Sequence, residues 1–469
     1  MWSERAEKRG FMTGVSYLSL SALLVKVIGL LYRIPMLAYL GTEGMGYFNT
    51  ACELYALFCV LTSAGLPVAM SVLISRREGV GLDHAQYIRQ TAWRTWGILG
   101  ILGSLVMWGF ARIFAGLLKN PEAASAMQAI SPAVLLVSLA SVYRGYFQGK
   151  RHMAPTAISQ VIEALGKLLL GVALAAYAQK KGYPLPQVAA YGVWGLTIGT
   201  GISLAYLWMQ KNRYDRKHPS KIAEPPTHIL PKLVSIALPV TLGGVVISLG
   251  KLIDLSLIFR RLQDAGMTAT AVASLYGCYS TLVLPLFHAL PTLTTAVSTS
   301  LLPTLSAMEG AGKSTEAKKI TMFALLMTAG VSLMATLVLA FGGEMILYLI
   351  FPHQPTAVES ATPWLSCIAW GIPFACLSGV LGGILQAEGH PVCPVIATGT
   401  GILVKGVLSY VLLSNPAMGI LGVAVSTVLA DILIFLILVG MMMKLTPWLC
   451  GLGKRDSVAM AVPSLPKTK

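Results

Sequence analysis

The chain has 469 residues, 55% of them hydrophobic and only 12% charged, where an ordinary soluble domain carries roughly 25% charged residues. With a mean hydropathy of +0.71, a soluble fold of this size could not cover its surface, which leaves an integral membrane protein. The net charge of +16, from 35 Lys+Arg over 19 Asp+Glu, then reads as loops held beside anionic lipid rather than as a nucleic-acid surface.

The charged opening MWSERAEKRG runs into a long apolar stretch without a small-residue cleavage site. That predicts a retained first span, not a signal peptide. A crossing helix needs about 20 apolar residues. Twelve segments qualify, at roughly 12–38, 46–74, 92–113, 124–143, 154–178, 188–209, 231–259, 268–303, 320–341, 358–386, 392–413 and 418–443. The eighth is too long for one straight span and holds Pro285 and Pro291, so a kink is expected there. EMILYLIF (344–351) is expected as a short interfacial helix. The segments are uniformly apolar without period-two alternation, which predicts an all-α membrane protein rather than a barrel.

Loop charge gives orientation. The loops on the N-terminal side carry 23 Lys and Arg, Arg144 counted among them, against 6 on the other side. Both termini are therefore expected in the cytoplasm. A repeat is also visible. GYFQGKRHMAPTAISQVIEALGKLLLGVAL (145–174) aligns with GILQAEGHPVCPVIATGTGILVKGVLSYVL (383–412), matching Gly145 to Gly383, His152 to His390 and Lys167 to Lys405. A weaker match pairs Lys26 with Lys251. The expected organisation is a six-helix lobe over 1–210, a basic cytoplasmic linker at 211–230, a second six-helix lobe over 231–443 and a cytoplasmic tail at 444–469. Six is even, so the lobes have the same orientation and face a central cavity.

Ionisable residues inside spans cost about 2.5 kcal/mol or more at the bilayer centre, so each needs a partner or a wet cavity. The cavity candidates are Lys26, Arg33, Lys251, Glu53, Asp254, Lys167 and Lys405. Glu163 and Lys167 are spaced i,i+4, and Lys251 and Asp254 i,i+3, so both couples can neutralise each other locally. Lys26 and Arg33 share a helix face without an acid between them, which favours a cavity-lining role for Lys26. Glu53 and Asp431 have no local partner. The seven cysteines form no CxxC and read as small buried hydrophobes; the seven histidines show no ligand spacing, so no metal is expected. AMEGAGKS (307–314) fits a relaxed phosphate-binding loop, but without a preceding strand and an α/β core it reads as a plain loop.

KVIGLLYRIPMLAYLGTEGMGYFNTA (26–51) and LPVAMSVLISRRE (66–78) resemble the opening of stage V sporulation protein B-like proteins. These are polysaccharide-biosynthesis flippases of the superfamily that also holds the MATE and MurJ transporters. The resemblance implies a MATE/MurJ-like fold and no enzymatic activity. It implies flipping of an undecaprenyl-pyrophosphate-linked sugar, lipid II or a polysaccharide repeat unit, across a bacterial cytoplasmic membrane. It also implies a role in peptidoglycan or sporulation, coupling to an ion gradient or the membrane potential, and no cofactor. In the MurJ pattern the first span carries two cavity bases, six apart. Lys26 matches the first; Tyr32 holds the second slot, with Arg33 adjacent, and Cys59 stands in the stretch where that pattern has a further base in the second span. Unpaired cations suit an anionic lipid-linked sugar, and the expected partners are that substrate and membrane lipids, with the chain a monomer. A cation-coupled MATE-type multidrug antiporter is the alternative, kept open by Glu53 and Asp254. A membrane glycosyltransferase is disfavoured because the external loops are short and the first offers only Glu43.

Overall fold

The computed structural model describes residues 2–78, 84–217, 229–294, 314–388, 390, 392–415 and 418–445. The expectations for the phosphate-loop-like segment (307–313), the end of the eighth span (295–303), much of the basic linker (218–228) and the tail (446–469) lie outside the described residues.

Every regular element among the described residues is a helix. Ten are long and apolar enough to cross a bilayer, and the bent pair Ala85–Gly109 and Ala111–Leu117, which turns by 65°, makes an eleventh. The first of the ten, Leu20–Ser75, covers 56 residues. That is about 84 Å of straight helix against a hydrocarbon core of about 30 Å. It folds back instead. Gly41 has φ 62°, a conformation that glycine alone adopts without strain. The rings of Tyr32 and Phe48 lie 5.9 Å apart, where a straight helix would hold those residues about 24 Å apart. Leu20–Ser75 is therefore two crossings, and the described residues carry twelve.

Two expectations take a different form. Where a kink is expected in the eighth span, the helix Ala269–Thr294 holds a π turn, Tyr279–Val283. Pro285 has no N–H for the Thr281 carbonyl, and its ring crowds that carbonyl; the wider turn makes room. EMILYLIF is not a separate interfacial helix. Its residues 344–350 continue the helix Ser314–Ile350, and Gly342 and Gly343 do not break it. An apolar run in lipid keeps its backbone bonded by staying helical.

Residue contacts group the chain into two compact units. The larger takes in the described residues of Met1–Ala289, Thr336–Trp370 and Ile402–Ala430. Its core is built from Leu66, Met70, Ile74, Ile88, Trp96, Tyr146, Phe147 and Leu233. The smaller takes in those of Leu290–Ala335, Gly371–Gly401 and Asp431–Lys469, with Val380, Leu381, Ile384, Leu385 and Leu438 at its centre.

A seam of small residues runs through the larger unit. A Cβ on Gly46 would overlap the Ala273 carbonyl, and one on Gly277 would overlap the Thr42 carbonyl. Close backbone approach is the use of small residues between membrane helices. Hydrogen bonds fasten the seam: Thr42 Oγ1 and Ser274 Oγ meet at 2.6 Å, and Asn49 Nδ2 donates to Ser280 Oγ at 2.8 Å and Thr281 Oγ1 at 3.0 Å.

Candidate functional site

All seven cavity candidates fall in the larger unit, but the local pairings read from spacing do not form. Glu163 is held by Arg144 rather than by Lys167. Arg144 Nη2 donates to Glu163 Oε2 at 2.8 Å and to Ser203 Oγ at 3.3 Å, and its Nε donates to Ser159 Oγ at 3.1 Å. Arg144 was counted among the loop cations. It belongs to the helix Ala124–Gly149, and its side chain is only 14% exposed. The planar guanidinium engages a carboxylate and two hydroxyls at once, which a single ammonium matches less well. Lys167 turns instead to the hairpin of the first two spans. Its Nζ lies 4.8 Å from the Tyr32 ring centre and 5.6 Å from that of Phe48, a cation–π arrangement.

In the second half Asp254 pairs with Lys405, on another helix, and not with Lys251. The repeat makes the difference intelligible. Gly401 stands where the first half has Glu163, so the helix of Lys405 offers it no acid. Three residues past Lys26 is Gly29; three residues past Lys251 is Asp254. The repeated lysine thus meets rings in one half and a carboxylate in the other. Lys251 makes no ion pair among the described residues and is exposed.

Arg33 is tied to the π turn. Its Nη1 donates to the Ser280 carbonyl at 2.7 Å and lies 3.5 Å from that of Thr281. These are the carbonyls that Pro285 and the widened turn release, so the side chain of one span completes the backbone bonding of another. Glu53 lies within electrostatic reach of Arg33. Lys26 is exposed and lies within reach of both Lys251 and Arg33.

One residue that the sequence did not single out sits among these cations. His288 lies within electrostatic reach of Lys251, Lys405, Lys26 and Arg33. It follows the π turn by a little over one helical turn, and nothing in the spacing of the seven histidines marks it. Lys26, Arg33, Lys251 and Lys405 thus converge from three helices on a fourth, with Asp254 already paired and Glu53 beside Arg33. A cluster of this kind gains most from a multivalent anion that neutralises several members at once.

Residues 11–309 match the family described as "Polysaccharide biosynthesis protein", and residues 239–411 match the MatE family. Stage V sporulation protein B of Bacillus subtilis (strain 168) is 27% identical over 94% of this chain and 85% of its own length. Among solved structures, an inward-facing multidrug resistance MATE transporter of the MOP superfamily superposes with TM-score 0.70 at 12% identity, over 90% of this chain and 98% of that one. The lipid II flippase MurJ, in an inward closed conformation, superposes with TM-score 0.66 at 16% identity, over 90% and 86%. At such identities the structures show a shared fold. A family match over more than half of the sequence, on a helical architecture shared with MATE and MurJ structures, makes this multi-pass membrane protein a member of the polysaccharide biosynthesis protein family.

Proposed function

We propose that this protein is a flippase that carries an undecaprenyl-pyrophosphate-linked sugar across a bacterial cytoplasmic membrane, with both termini in the cytoplasm. The observation that carries the reading is that Lys26, Arg33, Lys251 and Lys405 all lie within electrostatic reach of His288. Lys26 and Lys251, both exposed, hold the pyrophosphate; the lipid tail stays in the bilayer, and the two repeats rock to present the site to each side in turn. No bond is made or broken, so the activity is transport without catalysis. Each net negative charge moved outward gains about 2.3 kcal/mol per 100 mV of an inside-negative potential, which is enough to bias the direction without a second substrate. The likeness to a structure named for lipid II flipping supports a lipid-linked sugar as the substrate class.

The second reading is a cation-coupled multidrug antiporter, favoured by Glu53, which has no hydrogen-bond or ion-pair partner among the described residues. Charge sign separates the two, because a desolvated like-charge encounter costs several kcal/mol. Purified protein should bind a pyrophosphate-linked polyprenyl lipid, more weakly as salt rises, and should show little affinity for cationic dyes. Dye efflux that is lost on Glu53→Gln but kept on Lys26→Ala would replace the flippase by the antiporter.

A further inference from the structure

Away from the cationic cluster, the first half carries a groove of about 260 Å³ lined by Trp93, Leu139, Tyr143, Gly201, Leu204, Ala205 and Trp208. Three helices form it: Ala85–Gly109, Ala124–Gly149 and Leu185–Lys217. Trp93 and Trp208 line it while remaining 42% and 54% exposed. Both lie near the helix ends that face the N-terminal side of the chain, the depth at which Trp and Tyr mark a membrane interface. An aromatic belt accounts for the two indoles. It does not account for the concavity between them, or for what sits at its upper end.

That end holds Arg89, one helical turn before Trp93. The Arg89 guanidinium lies within electrostatic reach of the Tyr143 hydroxyl. Arg89 Nε is buried without a partner, and Arg94, exposed, lies beside Trp93. Arg89 stands one helical turn before the lining, which passes from the aromatic rings to Leu139, Leu204, Ala205 and Gly201. A lipid has the same polarity profile: phosphate, interface, hydrocarbon.

We propose that this groove binds one acyl chain of an anionic phospholipid whose phosphate is held at Arg89. The chain lies along Leu139 and Leu204 and ends over Gly201, where the missing side chain leaves the floor open. The guanidinium, whose Nε has no partner, has donors to offer a phosphate oxygen. A zwitterionic lipid of the same chains brings an ammonium beside Arg89 and Arg94 and is the poorer ligand. The site is separate from the residues assigned to the transported molecule, so it supplies a lipid requirement and not a step in transport.

The test is native mass spectrometry of detergent-purified protein with phosphatidylglycerol or phosphatidylcholine of identical chains. Wild type should retain phosphatidylglycerol at least fivefold over phosphatidylcholine. Arg89→Gln should bring the two to parity, and Arg89→Lys should keep part of the preference. Gly201→Leu should lower retention of both lipids about tenfold by filling the floor; a Cβ there meets only Leu136 Cδ1 at 3.8 Å. Ala205→Phe is the second floor variant, should Gly201→Leu melt early. Equal retention of the two lipids by wild type, or retention unchanged by both Arg89→Gln and the floor variants, overturns the proposal. Displacement of phosphatidylglycerol by equimolar undecaprenyl phosphate also overturns it, because the groove then belongs to the transported molecule.

Discussion

Asp254 and Lys405, 151 residues apart in sequence, form an ion pair between the helices Ile229–Asp264 and Val392–Leu412. The side chains are 18% and 22% exposed, so neither is well hydrated and each depends on the other. Lys405→Met or Asp254→Asn alone should cost about 2 kcal/mol, since each leaves a half-buried partner without its counter-group. The double variant should cost less than the two singles together, by about 1 kcal/mol or more. Denaturant titrations in detergent of the four proteins measure this; strict additivity would mean that the pair contributes nothing.

Arg144 should matter more for folding than its position at a helix end suggests. Arg144→Ala leaves Glu163, Ser159 and Ser203 without their shared donor and should lower membrane abundance several-fold. Lys167→Met keeps the contact with Tyr32 and Phe48 and should leave abundance near wild type. Immunoblots of membrane fractions compare the two, and equal abundance would deny the Arg144 network its structural role.

Lys26→Ala and Lys251→Ala should abolish complementation of a flippase-deficient host at near-normal abundance, with Lys26→Arg partly active because charge survives but geometry changes. His288→Leu removes a polar neighbour from the same cluster and should weaken binding of the lipid-linked pyrophosphate by roughly tenfold without loss of protein. Full complementation by Lys26→Ala would remove the proposed pyrophosphate contact.

The seam between Gly46 and Ala273 tests whether this face must open. A Thr42→Cys, Ser274→Cys protein, oxidised to a disulfide, should stop transport and regain it on reduction, since the native hydroxyls already touch at 2.6 Å. Gly46→Val should stop it irreversibly, because the added carbons overlap backbone, which cannot step aside. Transport unaffected by the disulfide would show that the seam stays shut throughout the cycle.

Sidedness is open to direct measurement. Thiol reagents applied to intact cells should label Tyr183→Cys, between the fifth and sixth spans, and should spare Arg216→Cys until the membrane is permeabilised. Labelling of Arg216→Cys from outside would invert the topology.

The twelve crossings were legible because lipid leaves a 20-residue apolar run one backbone solution. The break near Gly41 was legible for the same reason: 12–38 and 46–74 were too long together for one crossing. The partners of the charges were not. Spacing along one helix made Lys167 the obvious mate for Glu163, yet Arg144 on the preceding helix offers more donors to the same carboxylate. Asp254 had Lys251 at hand and took Lys405, a residue that only the folded bundle brings near. Local proximity is cheap to read, but in a membrane protein a carboxylate answers to every cation that the bundle delivers. His288 was invisible for a further reason. Its facing depends on the turn before it, and a π turn leaves little trace in residue type beyond the Pro285 that follows it.

That turn, Tyr279–Val283, behaves as a one-residue insertion in the helix. Every side chain after it is rotated by about 100° from where an uninterrupted α-helix would aim it. The presence of His288 beside Lys26 and Lys251 is therefore a matter of phase as much as of identity. Deleting a single residue inside the turn would let the helix close up, and would swing His288 away with its sequence intact, while Arg33 lost the carbonyls it holds. Relatives that share these residues but differ by one in the length of this turn would carry the same letters and a different site.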